Sequence, residues 1–308
     1  MYIGIDVGGT NLKAGLVDQD GTILAVERIP LDFQGPASFA KTLAELCRAV
    51  LRPGDEVEYV GMGIPGTVDG GDILYTTNIP MENVPLGRLF REHLDLPLLL
   101  GNDADCAAVG EFFCGAGKGT QDFLVVTLGT GVGTGVIMNG RLRGGIASSE
   151  AGHIVICQDG ELCNCGRRGC FERYASATAL IGFTKDAMEK HPESALHKIA
   201  AEFGGVVEGR TPFLAAQARD TTALEVCQLY AKYLASGLAS LVNAFRPEVV
   251  ALGGGVASAP DHLLLNPVRE MVAREAFASH GGRETKILRA ELGNDAGIIG
   301  AAFLGRVQ

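Results

Sequence analysis

Several side chains in this sequence are spaced for chemistry. Asp6-Val-Gly8-Gly9-Thr10 puts a carboxylate at the end of an apolar run and follows it with two residues that lack Cβ. Backbone N–H groups there can close on phosphate oxygens, and the carboxylate can hold Mg²⁺ beside them. Gly129-Thr130-Gly131 offers a second turn of the same kind. Any hairpin needs glycine, so one such turn alone is explained by backbone geometry; two matched turns fit a clamp on a triphosphate. Leu98-Leu-Leu-Gly-Asn102-Asp103 ends an apolar run with an amide and a carboxylate just before a helical pattern. Asp103 there is either an acid placed to accept a hydroxyl proton or, with Asn102, an ordinary helix cap.

A second constellation lies downstream. His153 precedes Cys163-Asn-Cys165-Gly-Arg-Arg-Gly-Cys170, one imidazole and three thiols, the ligand set of a closed tetrahedral zinc site. Free reduced thiols are the other reading of the same residues. With four protein ligands the metal would be structural and would fix a loop, leaving Mg²⁺ to serve a nucleotide. Glu150 lies three residues before His153, and Glu172 two after Cys170. Acids held by such a loop could accept hydrogen bonds from vicinal sugar hydroxyls, and could equally be solvated surface groups. A histidine that ligates through one ring nitrogen can turn the other toward a hydroxyl.

The elements that must carry these groups follow from periodicity. Tyr2 to Pro30 reads as a three-stranded meander, and Phe123 to Leu142 repeats that grammar with an Asn139-Gly140 turn. The duplication implies two similar domains facing each other. Helical spacing covers Phe39 to Leu51, Ala104 to Phe113, Ala175 to Glu189, Ala223 to Phe245 and Gly297 to Arg306; Glu58 to Ile64, Leu98 to Gly101 and Val249 to Leu252 read as buried strands. The pattern predicts an α/β fold with mixed sheets. No Gly-Lys-Ser/Thr occurs in a P-loop setting, since Gly117-Lys118 runs into Gly119, and no G-x-G-x-x-G opens a helix after a strand.

The 308 residues suffice for two domains, and 47% hydrophobic side chains can fill both cores. With 26 basic against 36 acidic residues the net charge is −10, the wrong sign for gripping nucleic acid. The chain opens on a strand pattern without a leader or a membrane-length apolar run, which points to the cytoplasm and to no membrane partner. Five of the eight cysteines lie outside the cluster and read as small apolar residues.

Taken in order and spacing, Asp6-Val-Gly-Gly-Thr-Asn11, Gly61-Met-Gly-Ile-Pro-Gly66-Thr-Val-Asp69, Asn102-Asp103-Ala104, Gly129-Thr-Gly-Val-Gly133, Glu150-Ala-Gly-His153, Cys163-x-Cys-Gly-x-x-Gly-Cys170-x-Glu172 and Asp295-Ala-Gly-Ile-Ile-Gly300 resemble the ROK family of sugar kinases over nearly the whole chain. The resemblance implies a duplicated actin-like, ribonuclease-H-like fold in two lobes with the active site in the interdomain cleft, and a homodimer or dimer of dimers. It implies residues 1–116 as the first lobe, with a C-terminal helix at about 295–308 packed back on it, and 117–294 as the second, carrying the zinc loop. It implies ATP and Mg²⁺ held by Asp6, Gly8, Gly9, Thr10, Gly129, Thr130 and Gly131, with Gly254 and Gly255 on the adenosine side. Asp103 would be the base; Gly66, Asn102, Glu150, His153 and Glu172 would meet the sugar; His153, Cys163, Cys165 and Cys170 would hold structural Zn²⁺. The expected activity is hexose phosphorylation at the 6-hydroxyl. Glucose is favoured by Glu150-Ala-Gly-His153 with Gly63-Ile-Pro-Gly66, and the alternatives are N-acetylmannosamine, fructose, allose or mannose kinases, or a non-catalytic sugar sensor. ROK repressors carry a winged helix before the first Gly-Gly-Thr turn, and the start of that turn at Gly8 argues against one here.

Overall fold

The computed structural model describes residues 1–76, 78–277 and 284–307. The alternating N-terminal pattern forms β1 (Tyr2–Val7), β2 (Asn11–Val17) and β3 (Ile23–Pro30), followed by α1 (Pro36–Val50) and β4 (Val60–Ile64). A small antiparallel sheet comes next: β5 (Gly66–Asp69), β6 (Asp72–Thr76) and β7 (Glu82–Val84). Then follow α2 (Leu86–Arg91), β8 (Leu98–Asn102) and α3 (Asp103–Cys114). The second meander is β9 (Phe123–Leu128), β10 (Val132–Met138) and β11 (Arg141–Leu142). Helices α4 (Glu172–Ala175), α5 (Ala177–Lys190), α6 (Ala195–Glu202), α7 (Thr211–Gln217) and α8 (Thr221–Phe245) lead to β12 (Val249–Gly253), α9 (Leu265–Glu275), β13 (Lys286–Arg289) and α10 (Ala296–Ala302).

The two five-stranded sheets have the same grammar. Their orders are β3-β2-β1-β4-β8 and β11-β10-β9-β12-β13. In each, the meander ends at one edge and later strands extend the other, which is the duplication expected from the repeated pattern. In the first sheet β1 is antiparallel to β2 and parallel to β4, and β4 is parallel to β8. Parallel neighbours require crossover connections, and α1 supplies the one between β3 and β4.

The chain divides into two units, Met1–Val125 with Gly135–Ser149 and Glu291–Gln308, and Val126–Thr134 with Glu150–Ala290. This differs from a boundary after residue 116, because β9 and β10 run from one unit into the other. Residues from Gly135 on belong with the first unit, where a Cβ at Gly135 would come within 2.5 Å of Ala104 O and Ala108 Cβ on α3. The expected C-terminal helix is α10 followed by a short turn at Leu304–Arg306; Gln308 lies outside the described residues. The predicted Ala175–Glu189 helix is broken at Ser176, whose hydroxyl accepts from Ala179 N–H to cap α5.

The first core is built from Ile3, Ile5, Leu12, Phe39, Leu43, Met62 and Phe90, all without exposed surface. The second is organised by α8, whose buried face includes Val226, Tyr230, Leu234, Leu238 and Leu241. Glu111 on α3 departs from the apolar pattern. It is buried, and its carboxylate accepts from Ala116, Glu291 and Leu292 N–H at 2.9, 3.0 and 2.7 Å. It thereby ties the chain ahead of α10 to α3. Replacing Glu111 by Ala should cost about 2–4 kcal/mol in denaturant unfolding, because three backbone donors lose a charged acceptor. A loss under about 1 kcal/mol would mean that water serves those donors equally well.

Candidate functional site

In the first unit the candidate groups gather at the C-terminal ends of β1, β4 and β8. Register pairs Asp6 with Gly63, and Ile64 with Asn102, so Asp6 and Asn102 share the end of the sheet where α/β folds bind ligands. Asn102 caps α3, its amide oxygen accepting from Ala104 N–H at 2.9 Å, while its Nδ2 donates to the Gly66 carbonyl at 3.1 Å. Capping and site-building are therefore one act. Gly66 is held close to β6, where a Cβ would lie 2.2 Å from the Tyr75 carbonyl.

Asp103 is the first residue of α3, and its Oδ1 accepts from Ala104 N–H at 3.0 Å. Its side chain is exposed to solvent, with protein atoms close enough to thin the water around the carboxylate. That desolvation raises its pKa, against the lowering effect of the backbone N–H. Asp6 is raised for the same reason, with Lys13 opposing and the charge of Asp103 adding to the rise. Lys13 pairs with Asp6 across the β1–β2 hairpin. It was overlooked from sequence, although hairpin register puts a residue there in reach.

In the second unit the groups converge on Val132, the first residue of β10. Its N–H donates to Glu172 Oε2 at 3.0 Å, and a Cβ on the neighbouring Gly131 would lie 2.3 Å from the same oxygen. On its carbonyl side a Cβ at Gly152 would come within 2.2 Å of Val132 O, and Ala151 N–H donates to Thr134 Oγ1 at 3.3 Å. Glu172, the Glu150–His153 turn and the Gly129–Gly131 turn are thus held by one stretch of backbone. The start of α5 adds to this: Ala177 N–H donates to Gly129 O, and Thr178 Oγ1 to Thr130 O, both at 2.8 Å.

His153 and the three cysteines come together. Their ligand atoms all lie within 4.8 Å of one another. Cys163 Sγ is 3.6 Å from His153 Nδ1, and Cys165 Sγ is 3.6 Å from Cys170 Sγ. Tetrahedral zinc with ordinary bond lengths sets S···N near about 3.6 Å and S···S near about 3.8 Å, so the residues fit the ion. The thiols also need it electrostatically. The Arg167 backbone N–H holds Cys165 below the usual thiol range, whereas burial and the neighbouring thiols push Cys170 up to about 12. A divalent ion held there would supply positive charge that favours thiolate ligands. Ligation through Nδ1 leaves His153 Nε2 for another partner.

Four described glycines have neither a left-handed backbone nor any neighbour within 4 Å of an added Cβ: Gly9, Gly129, Gly182 and Gly255. Three of these sit in the turns singled out from sequence for a nucleotide. Gly254, beside Gly255, is left-handed (φ 84°) and backs onto Leu128. No neighbour requires glycine at positions 9, 129 and 255, nor at Gly182 in α5, and in a turn the missing Cβ leaves the backbone open to close approach by a ligand.

A model of the ROK family matches residues 2–307. A glucokinase of Halalkalibacterium halodurans is 38% identical over 320 aligned positions, covering all of this chain and 95% of the relative. One of Thermotoga maritima is 37% identical, covering 98% and 96%. The crystal structure of a ROK family glucokinase from Streptomyces griseus, in complex with glucose and AMPPNP, is similar with a TM-score of 0.81 and 35% identity over 99% of both chains.

Replacing Cys165 by Ser should lower bound zinc, measured by elemental analysis of purified protein, together with the unfolding temperature. Undiminished zinc in that variant would remove Cys165 from the ligand set.

Proposed function

The chain belongs to the ROK family and has its two-lobe actin-like, ribonuclease-H-like fold, and from that membership we propose an ATP-dependent hexokinase that phosphorylates the 6-hydroxyl of glucose. The observation that carries the proposal is Asp103, an ionisable carboxylate fixed at the first turn of α3 and partly stripped of water. With Oδ1 occupied by Ala104 N–H, Oδ2 is left to take the proton of the attacking hydroxyl. The γ-phosphate then passes from the ADP leaving group to that oxygen.

The remaining roles follow from the atoms each residue leaves unused by the hydrogen bonds described above. Glu172 keeps Oε1 for a sugar hydroxyl, His153 keeps Nε2, and Asn102 keeps one amide proton beside Gly66. Glu150 is exposed at the head of its turn and accepts from hydroxyls. Gly8 and Gly129 close their turns by N–H bonds to Asn11 O and Gly131 O, so that Gly9, Thr10, Thr130 and Gly131 offer backbone to the phosphates, and Gly254 and Gly255 to the adenosine. Asp6 fits a divalent ion, as a half-exposed carboxylate at a strand end beside the first turn. Mg²⁺ bound there would neutralise the developing phosphate charge. Zinc stays structural and orders the loop between Glu150 and Glu172. Glucose is supported by the names of the relatives; N-acetylmannosamine is the alternative, since a pocket contact worth roughly 1–3 kcal/mol decides between such sugars. Among the described residues no helix is long and apolar enough to cross a membrane. A cytoplasmic homodimer or dimer of dimers completes the proposal, with three thiolate ligands suited to a reducing compartment.

A coupled ADP-release assay with Mg-ATP against glucose, N-acetylmannosamine, mannose, fructose and allose should show selective turnover of glucose; preference for another sugar would reassign the substrate. Asp103→Asn should keep sugar binding and lose about 10³-fold or more in kcat. In the unsubstituted protein activity needs ionised Asp103, so it is present above the raised pKa and falls as pH drops through it. The acid limb of kcat/KM should therefore lie above the ordinary carboxylate value of about 4. Gly9→Ala and Gly255→Ala should leave the unfolding temperature nearly unchanged and raise the KM for ATP about tenfold, whereas an unchanged KM would move the nucleotide elsewhere.

A further inference from the structure

Two residues beyond Asp103 on α3 stands Asp105, a carboxylate with no exposed surface. Its Oδ2 accepts a hydrogen bond from Ser148 Oγ. The same hydroxyl is 2.8 Å from Gly145 O; one proton serves one acceptor at a time, and the carboxylate is the stronger. The loop around Ser148 is tight. Ala147 and Ser148 N–H both bond back to Gly144 and Gly145 carbonyls, Gly145 is left-handed (φ 64°), and a Cβ at Gly144 would lie 3.5 Å from Asp105 Oδ2.

This loop ends where the sugar-binding segment begins. The chain leaves the first unit after Ser149 and enters the second at Glu150. It turns at once, with His153 N–H donating to Glu150 O at 2.9 Å. Only Ser149 separates the anchored Ser148 from Glu150, a tether of about 7 Å at full extension. Holding Ser148 therefore limits where Glu150 can stand. Burying a carboxylate is expensive, and apolar side chains of similar size commonly fill such a place at no loss of stability. A charge retained in the first turn of the base's own helix is explained by position.

We propose that Asp105, through Ser148, is a positioning residue for the Glu150–His153 segment and so for the sugar, an inference that rests on the hexokinase proposal above. The carboxylate fastens the Gly144–Ser148 loop to α3, and the loop limits the backbone from which the Glu150–His153 turn starts.

The test compares the unsubstituted protein with Ser148→Ala, Ser148→Thr, Asp105→Asn and the Ser148→Ala/Asp105→Asn double variant. Two readouts are used: amide hydrogen exchange at residues 151–154, and calorimetric affinities for glucose and for AMPPNP. Ser148→Ala should speed exchange at 151–154 and weaken glucose binding roughly tenfold, the loss expected for one hydrogen bond to a charged group, with AMPPNP affinity within about twofold. Ser148→Thr should restore both readouts, and the double variant should be no worse than the more severe single one. Unchanged exchange, or parallel loss of both ligands, would overturn the proposal. If the unsubstituted protein binds no hexose, the hexokinase reading fails, and the exchange pattern alone decides whether Asp105 and Ser148 fix the segment.

Discussion

Backbone meets backbone where α10 lies on β1 and β4. A Cβ at Gly61 would fall 1.8 Å from the Ala301 carbonyl, and one at Gly300 1.6 Å from the Cys106 carbonyl of α3. Helix, helix and sheet can approach this closely only because the side chains between them are missing. This seating depends on residues 240 and 194 positions apart in the chain, and it fixes the height of α3 above the strand ends. Asp6, Asn102 and Asp103 then stand where they do because β1, β4 and β8 are in register and α3 cannot rise or slide. Glu111 closes the arrangement from the far end of α3, holding Glu291 and Leu292 by their N–H groups.

The second unit solves a similar problem with a metal-sized cluster in place of close-packed glycine. The loop from Glu150 to Glu172 has few regular hydrogen bonds, among them the isolated bridges Val155–Cys170 and Leu162–Arg168. Phe171, beside Cys170, is fully buried, and Gly237 on α8 leaves room for its ring. Tyr174 accepts from Glu161 N–H at 2.7 Å. His153 with the three cysteines, one buried ring and one phenol are the contacts that gather this segment. Glu172, at one end of the segment, is tied through Val132 N–H to the 129–131 turn, which Gly129 N–H closes on the Gly131 carbonyl.

Three carboxylates on one short helix, Asp103 exposed and Asp105 and Glu111 buried, differ in environment. Asp103 keeps one oxygen open to solvent, Asp105 is spent on Ser148, and Glu111 on three backbone donors. The helix macrodipole favours the first two at its N-terminus. Acidic side chains thus occupy three environments within nine positions of sequence, and the proposed proton transfer, the proposed positioning and the structural tie each fall to one of them.

The sequence by itself carried the local order: both meanders, the Asn139-Gly140 turn, the helix after Asp103, the cysteine cluster with His153, and the glycine turns, because each is written in periodicity or in residue types a few positions apart. The family resemblance rested on those same short motifs. The β5–β7 sheet, α2, α6, α7, α9 and β13 were not legible, being short elements whose apolar residues answer to distant partners. Nor could sequence show that Asn102 caps α3 and reaches the Gly66 carbonyl at once, or mark Asp105 and Glu111 as buried, since a carboxylate's burial depends on donors supplied by Ser148, Glu291 and Leu292. Spacing along the chain decides which groups are available. Long-range backbone contact decides which of their atoms are already engaged, and so which remain free for chemistry.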